Sequence, residues 1–173
     1  MFHVKQFISY DVIVIGAGHA GVEAATMASR LGAKTALITF KKDDIGTLSC
    51  NPAMGGLGKG HLIREIDAMG GLIGNASDLS GIQFRVLNRT RGTAVQGPRA
   101  QIDRLQYKEN MYQLINNENI DIIFDEVIDV TLETKNNLKR INSVRLSEKG
   151  KIICKSLIVT TGTFLKGRIH QGK

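Results

Sequence analysis

Only two cysteines, Cys50 and Cys154, stand in this chain of 173 residues, too few for a disulfide framework. Such sparse thiols suit a reducing compartment, and a cytoplasmic location is the expectation. No apolar run approaches the ~20 residues that a membrane-spanning helix needs, and the opening MFHVKQFIS has too short an apolar core for a secretory signal. No internal repeat or low-complexity tract is present, which excludes a solenoid or a biased linker. What remains is a globular composition, 42% hydrophobic, in a length that builds one ordinary domain with a real core, or two only if both are small. The formal charge of +7, from 23 basic and 16 acidic residues, favours polyanionic partners such as RNA or nucleotides.

The chain is organised around VIVIGAGHAGVE, residues 12–23. Residues 12–15 are apolar and predict a short buried strand, after which Gly16, Gly18 and Gly21 fall in the order GxGxxG as a helix opens. Each glycine has a separate task. Gly16 permits the tight bend, Gly18 lets a pyrophosphate approach the main chain, and Gly21 lets the helix lie close on the strand. Free N–H groups and the helix dipole at such a turn favour a phosphate. Gly32 ends the helix, and residues 35–39 predict a second strand at the spacing of a right-handed βαβ unit. A glycine-rich turn also arises for packing reasons alone, so dinucleotide binding and a structural turn both stand at this point. A further absence bears on the ligand. About twenty residues past the motif, where an acid that holds a ribose is expected, the chain has Thr39, Phe40, Lys41 and Lys42. Either the two lysines meet a 2′-phosphate, or another segment holds the ribose.

Residues 41–60, KKDDIGTLSCNPAMGGLGKG, carry five glycines and a proline and predict a long loop without a regular element. Cys50 lies within it. Near free N–H groups or Lys59 its thiol would be activated, whereas buried among apolar groups it is an inert filler; both readings stand. From His61 onward Leu62, Ile66, Met69 and Ile73 form one helical apolar stripe, loosened at its end by Gly70 and Gly71. His61 itself reads as a cap or a surface residue. Residues 78–98 hold Arg85, Arg89 and Arg91, followed by Arg99 and Arg104, with few acids and no interleaved aromatics. Short strands or turns are expected there, and the arginines are either a solvated face or a phosphate-contacting one. Residues 99–117 predict a helix with Tyr107, Met111 and Leu114 on one face, and residues 120–124 a strand. Residues 127–132 and 142–146 predict an antiparallel meander turned at 135–137, and residues 156–160 a last strand. Cys154 reads as core. Gly162, at the carboxyl end of that strand, is placed to let a second backbone approach a ligand. A basic tail, residues 166–173, follows.

YDVIVIGAGHAGVEAA, LSCNPAMGGLGKGHLIREIDAMGG, GIQFRVLN, PRAQIDR and TTGTFLKGRIH together resemble the amino-terminal part of one family. It is the flavoprotein family that modifies the wobble uridine of certain tRNAs, once named glucose-inhibited division protein A. The resemblance runs from about Tyr10 onward and implies an α/β, Rossmann-like FAD-binding fold of the glutathione-reductase type, incomplete, with a β-meander insertion. It implies that residues 1–173 are a truncated N-terminal FAD-binding segment. It also implies FAD at the turn made by Gly16, Ala17, Gly18, His19, Ala20 and Gly21, with Val127 meeting the adenine through its backbone and Gly162 nearby. It accounts for the missing acid, which the family commonly lacks, and makes Cys50 a catalytic candidate. The reaction implied uses reduced flavin, NAD(P)H, methylenetetrahydrofolate and a GTPase partner to place a (carboxymethyl)aminomethyl group on C5 of the uridine, in a homodimer. The Arg85–Arg104 stretch then reads as an RNA- or folate-facing surface. Thr93 departs from the family's usual proline, which implies one altered turn. Relatives continue for several hundred residues, so this segment is expected to be incompetent alone for the whole reaction. A truncated relic or nucleotide- or RNA-binding module, and a general small oxidoreductase, are the other readings.

Overall fold

A computed structural model describes residues 8–49, 51–162 and 165 of the chain. The first apolar run forms β1 (Ser9–Ile15), followed by α1 (His19–Arg30) and β2 (Thr35–Thr39), as the glycine and periodicity signals require. Then come β3 (Ala53–Gly55), α2 (Lys59–Ala68), α3 (Leu72–Leu79), β4 (Gly81–Leu87), β5 (Gly97–Ile102) and α4 (Arg104–Asn116). The remaining elements are β6 (Ile120–Phe124), β7 (Val127–Lys135), β8 (Leu138–Leu146) and β9 (Lys151–Val159).

Six strands join in the order β6-β2-β1-β9-β8-β7, and three in the order β3-β5-β4. β6, β2, β1 and β9 run parallel, so their carboxyl ends share one edge. β7 and β8 form the antiparallel pair that the sequence predicts, and β9, expected only as a last strand, pairs antiparallel with β8 and extends it into a three-stranded meander. β6 and β7 stand at opposite ends of the strand order, yet only Asp125 and Glu126 connect them. Two linking residues reach roughly 10 Å, whereas six flat strands would separate the ends by about 24 Å. The sheet therefore folds over, and the meander lies across the parallel strands.

The core confirms this layering. Along β1 and β2, Val14 and Leu37 point toward α1, α3 and α4, meeting Val22, Ala25, Leu72, Ala76, Tyr107, Met111 and Ile115. The alternate residues Ile13, Ala36 and Ile38, with Ile123, meet Val144, Leu146, Ile152 and Cys154 on the other face. Period-2 alternation thus feeds two cores from one sheet. Cys154 is buried, as expected for a core residue.

Several expectations need correction. The stripe from Leu62 to Ile73 does not form one helix: Gly70 takes φ +86, the chain turns, and Leu72 starts a second helix. Leu62 and Met69 are 61% and 64% exposed, so they do not share the burial of Ile73. The anchor is Glu23 of α1, whose buried carboxylate accepts the Leu72 N–H (3.0 Å) and the Ile73 N–H (2.7 Å) and so caps α3. The helix expected from residue 99 begins at Arg104, because residues 97–102 are taken as the central strand between β3 and β4. Its cap is Asp103, which accepts from Leu105 and Gln106 N–H at 2.9 Å each. Its buried stripe is Tyr107, Met111 and Ile115, with Leu114 only partly covered. Residues 41–60 are not wholly irregular, holding a 3-10 turn at Lys42–Asp44 as well as β3. β8 and β9 also start earlier than expected, at Leu138 and Lys151. Thr93 opens a single 3-10 turn, Thr93–Val95, a position that proline also suits.

Candidate dinucleotide-binding site

The glycine turn lies at the carboxyl edge of the parallel sheet, where β1 passes into α1. Gly16 extends the strand by donating its N–H to Ile38 O (2.8 Å), then turns at φ +97. A Cβ on Gly16 would stand 2.5 Å from Thr160 O, and one on Gly21 would stand 1.7 Å from Gly16 O. Both positions admit only hydrogen. Gly18 is the opposite case: its backbone is extended at φ −69 and ψ −174, and a Cβ there would meet nothing within 4 Å. The three glycines therefore divide as their spacing suggests, two closing the turn and one leaving open space above it.

That open space faces the start of α1. Val22 is the first helical residue whose N–H reaches back, to Gly18 O, so the earlier N–H groups have no partner inside the helix. No side chain caps this end, and no acid lies in the first turn. The helix dipole at this end favours an anion. Ala20 is exposed beside it, while Ala17 is buried and its carbonyl accepts the Gly46 N–H (2.9 Å), which ties the following loop to the turn.

His19, the first residue of α1, leans on Tyr107 with ring centroids 5.8 Å apart. Burial, with the Lys59 ammonium adding to it, pushes its pKa down to about 4. The imidazole is thus neutral at pH 7, and the fixed positive charge near the turn is that of Lys59, whose Nζ donates to Ala53 O (3.2 Å). Tyr107 is fully buried, and its phenol is pushed above its ordinary range by burial and then by Glu23. Its hydroxyl finds no hydrogen-bond partner among the described residues.

Thr160 is a residue that sequence reasoning took only as the end of a strand. Its Oγ1 lies 2.8 Å from Ile15 O and 3.0 Å from Gly16 O, one proton serving two carbonyls. Its N–H also donates to Ile15 O (2.8 Å), so β9 latches the turn from the neighbouring strand. Gly162 follows at φ +65 with nothing within 4 Å of a Cβ, on the same edge. Val127 is half-buried beyond the carboxyl end of β6. Asp125, two residues before it, holds that corner by accepting from the Glu126 (2.7 Å) and Lys149 (2.9 Å) N–H groups.

Other sequence candidates fall elsewhere. Lys42 lays its ammonium over the Tyr112 ring, 4.0 Å from its centroid, and is turned toward α4. His61 is a cap, its Nδ1 accepting the Gly58 N–H (3.1 Å). Arg104 donates to Leu48 O (3.1 Å) and pins the loop, whereas Arg85 and Arg99 stand side by side on β4 and β5. Cys50 and the tail from residue 166 lie outside the described residues. Among the described residues no cluster suited to a metal ion is present, and no helix is long and apolar enough to cross a membrane.

A parallel sheet with helices on one face, a meander on the other and this glycine turn at its carboxyl edge define a Rossmann-like FAD-binding fold. The model of the family described as glucose inhibited division protein A matches residues 11–173, and the chain belongs to that family. Over 167 residues it is 52% identical to the tRNA uridine 5-carboxymethylaminomethyl modification enzyme MnmG of Sulfurihydrogenibium sp., covering 95% of this chain and 26% of that protein. The solved structure of Aquifex aeolicus GidA superimposes with a TM-score of 0.83 at 49% identity, over 91% of this chain and 26% of that one. THI4 of Thermovibrio ammonificans, at 15% identity and a TM-score of 0.63 over 93% of this chain and 60% of that one, shares the fold. The chain thus spans about a quarter of the length of these family relatives.

Proposed function

We propose that this chain is the FAD-binding N-terminal portion, residues 1–173, of an enzyme that modifies the wobble uridine of tRNA. The observation that carries the reading is the opening over Gly18 at an uncapped helix start, between two glycines that admit no side chain. A pyrophosphate has there the free N–H groups, the dipole and the absence of acid that it needs. Gly16, Ala17, Gly18, His19, Ala20 and Gly21 supply the cradle, the backbone at Val127 the adenine contact, and Gly162 a second close approach. Bound FAD supplies the hydride chemistry; the protein around it holds the pyrophosphate and keeps a neutral imidazole and one ammonium beside it.

In this reading the whole protein acts in the cytoplasm as a homodimer with a GTPase partner. It draws on NAD(P)H and methylenetetrahydrofolate to add a (carboxymethyl)aminomethyl group at C5 of the uridine, with Cys50 as the catalytic candidate. The Arg85–Arg104 stretch faces RNA. The segment alone is not competent for the reaction, since it spans only 26% of its relative's length. The test is the visible absorbance spectrum of the purified chain after addition of FAD and gel filtration. Wild type retains a flavin band and Gly18→Val does not; equal flavin in both would refute the site. Nucleoside mass spectrometry of cells lacking the full-length enzyme and supplied with this chain tests competence: no modified uridine is expected, and its appearance would refute the claim that the segment alone is not competent.

A further inference from the structure

β4 and β5 pair in a register that sets Arg85 directly opposite Arg99. Cross-strand partners share one face with Cβ atoms about 5 Å apart, and like charges in that relation repel. On β3 the residue opposite Arg99 is Gly55, so no side chain shields the pair from that side. Arg89 stands just past the end of β4. Among the described residues, the guanidinium groups of Arg85, Arg89 and Arg99 make no ion pair and no hydrogen bond.

All three arginines border a cleft of about 370 Å³ between the small sheet and the helices α2 and α3. Asp78 is the single acid among its lining residues, so positive charge dominates its wall. Ser77, also at the wall, has its hydroxyl committed to Ile73 O. Two unpaired guanidinium groups held side by side cost stability by themselves; an oxyanion between them converts repulsion into paired, charge-assisted hydrogen bonds. A carboxylate has two oxygens for three such forks, whereas a phosphate offers three or more acceptors. Gly60 lines the same cleft, and its neighbour Lys59 acts on the charge of His19, so one turn of α2 joins the cleft to the glycine turn.

We propose that Arg85, Arg89 and Arg99 form a phosphate subsite, separate from the pyrophosphate turn, that takes a phosphodiester of an RNA strand or the phosphate of a small molecule. It rests on the reading of the Arg85–Arg104 stretch as a polyanion-facing surface and narrows that surface to three residues.

The full chain, with Arg85→Gln, Arg99→Gln and, as a charge-matched control on β8, Lys139→Gln, is titrated with a fluorescein-labelled oligouridylate at several salt concentrations, and separately melted in rising inorganic phosphate. If RNA is the source, each arginine variant binds the oligonucleotide about tenfold more weakly. Its log–log salt slope is then shallower by about 1, while Lys139→Gln follows wild type. If a small phosphate is the source, wild type ignores the oligonucleotide, inorganic phosphate raises its melting temperature, and that rise is absent in the arginine variants. In phosphate-free buffer the arginine variants melt no lower than wild type, because one of two facing like charges is gone. RNA binding by wild type that the arginine variants leave unchanged overturns the subsite and leaves the RNA-facing reading standing. A wild type that responds to neither probe overturns both. Flavin retention by the arginine variants stays at the wild-type level, so these results are independent of the dinucleotide site.

Discussion

Placing alanine at Gly18 and at Gly21, three residues apart in one turn, should leave stability nearly unchanged at the first and lower it sharply at the second, with the same loss of ligand at both. At Gly21 the new Cβ would fall 1.7 Å from Gly16 O and 2.7 Å from Thr160 Oγ1, and both neighbours are fixed, one being backbone and the other hydrogen-bonded to that backbone. Relief requires α1 to lift off β1. Overpacking of this kind costs about 3 kcal/mol or more when backbone must move, so a melting-temperature fall of roughly 6–12 °C is expected for a chain of this size. At Gly18 the backbone is one that any residue adopts and the space is empty. Two small terms then oppose each other. Restricting the unfolded chain gains about 0.4–1 kcal/mol, and replacing a glycine N-cap by alanine loses a comparable amount. The net change should lie within about 1 kcal/mol of zero. Thermal melts followed by far-UV circular dichroism, alongside flavin absorbance after gel filtration, read both quantities. Gly18→Ala should melt like wild type yet bind flavin weakly, and Gly21→Ala should lose both. Equal melting temperatures for the two variants would refute the division of labour among the glycines.

His19 makes stability depend on pH, because the unfolded chain takes up a proton near pH 6.5 that the native chain refuses until about pH 4. Stability should therefore fall as pH drops through that window, by roughly 3 kcal/mol in total, and urea melts of His19→Gln should lack that part of the slope. Glu23→Ala leaves the buried N–H groups of Leu72 and Ile73 without an acceptor. The expected loss is about 2–4 kcal/mol, with hydrogen exchange fastest across residues 72–79; an unaltered exchange pattern there would contradict the capping role. Thr160→Val removes the shared proton on Ile15 O and Gly16 O, so a stability loss of about 1 kcal/mol should accompany weakened flavin retention. Flavin affinity equal to wild type would show that the latch does not shape the turn.

What could be read from the sequence was local. β2 and β6 coincide with the expected runs at 35–39 and 120–124, since short apolar segments bounded by polar residues need no knowledge of their neighbours. The glycine turn was legible for the same reason. Apart from the short 3-10 turn at Lys42–Asp44, which local hydrogen bonds hold, the main failures involve partners distant in sequence. Residues 99–102 satisfy a helical pattern equally well, and only the presence of β3 and β4 on either side makes them a strand. Met69 and Ile73 share a helical stripe on paper, but Glu23, far upstream, fixes the second helix start beyond Gly70. Within the site, Thr160 gave no signal of its own, because its role depends on β9 lying beside β1. Arg85 and Arg99 stood out as charge, while their direct opposition is a matter of register alone.

The latch between Thr160 and the glycine turn joins residues 144 positions apart. During synthesis β1 and β2 emerge early, yet one side of β1 has no partner until β9 has left the ribosome and entered the sheet. Because only two residues connect β6 to β7, the pairing of β9 with β1 goes together with the meander crossing the face of the parallel strands. The anion cradle is therefore closed only once β9 lies beside β1, although Gly16 stands 144 residues before Thr160. Any ligand that needs the finished turn binds only chains in which β9 has paired with β1, and so reports on the completed sheet as well as on function.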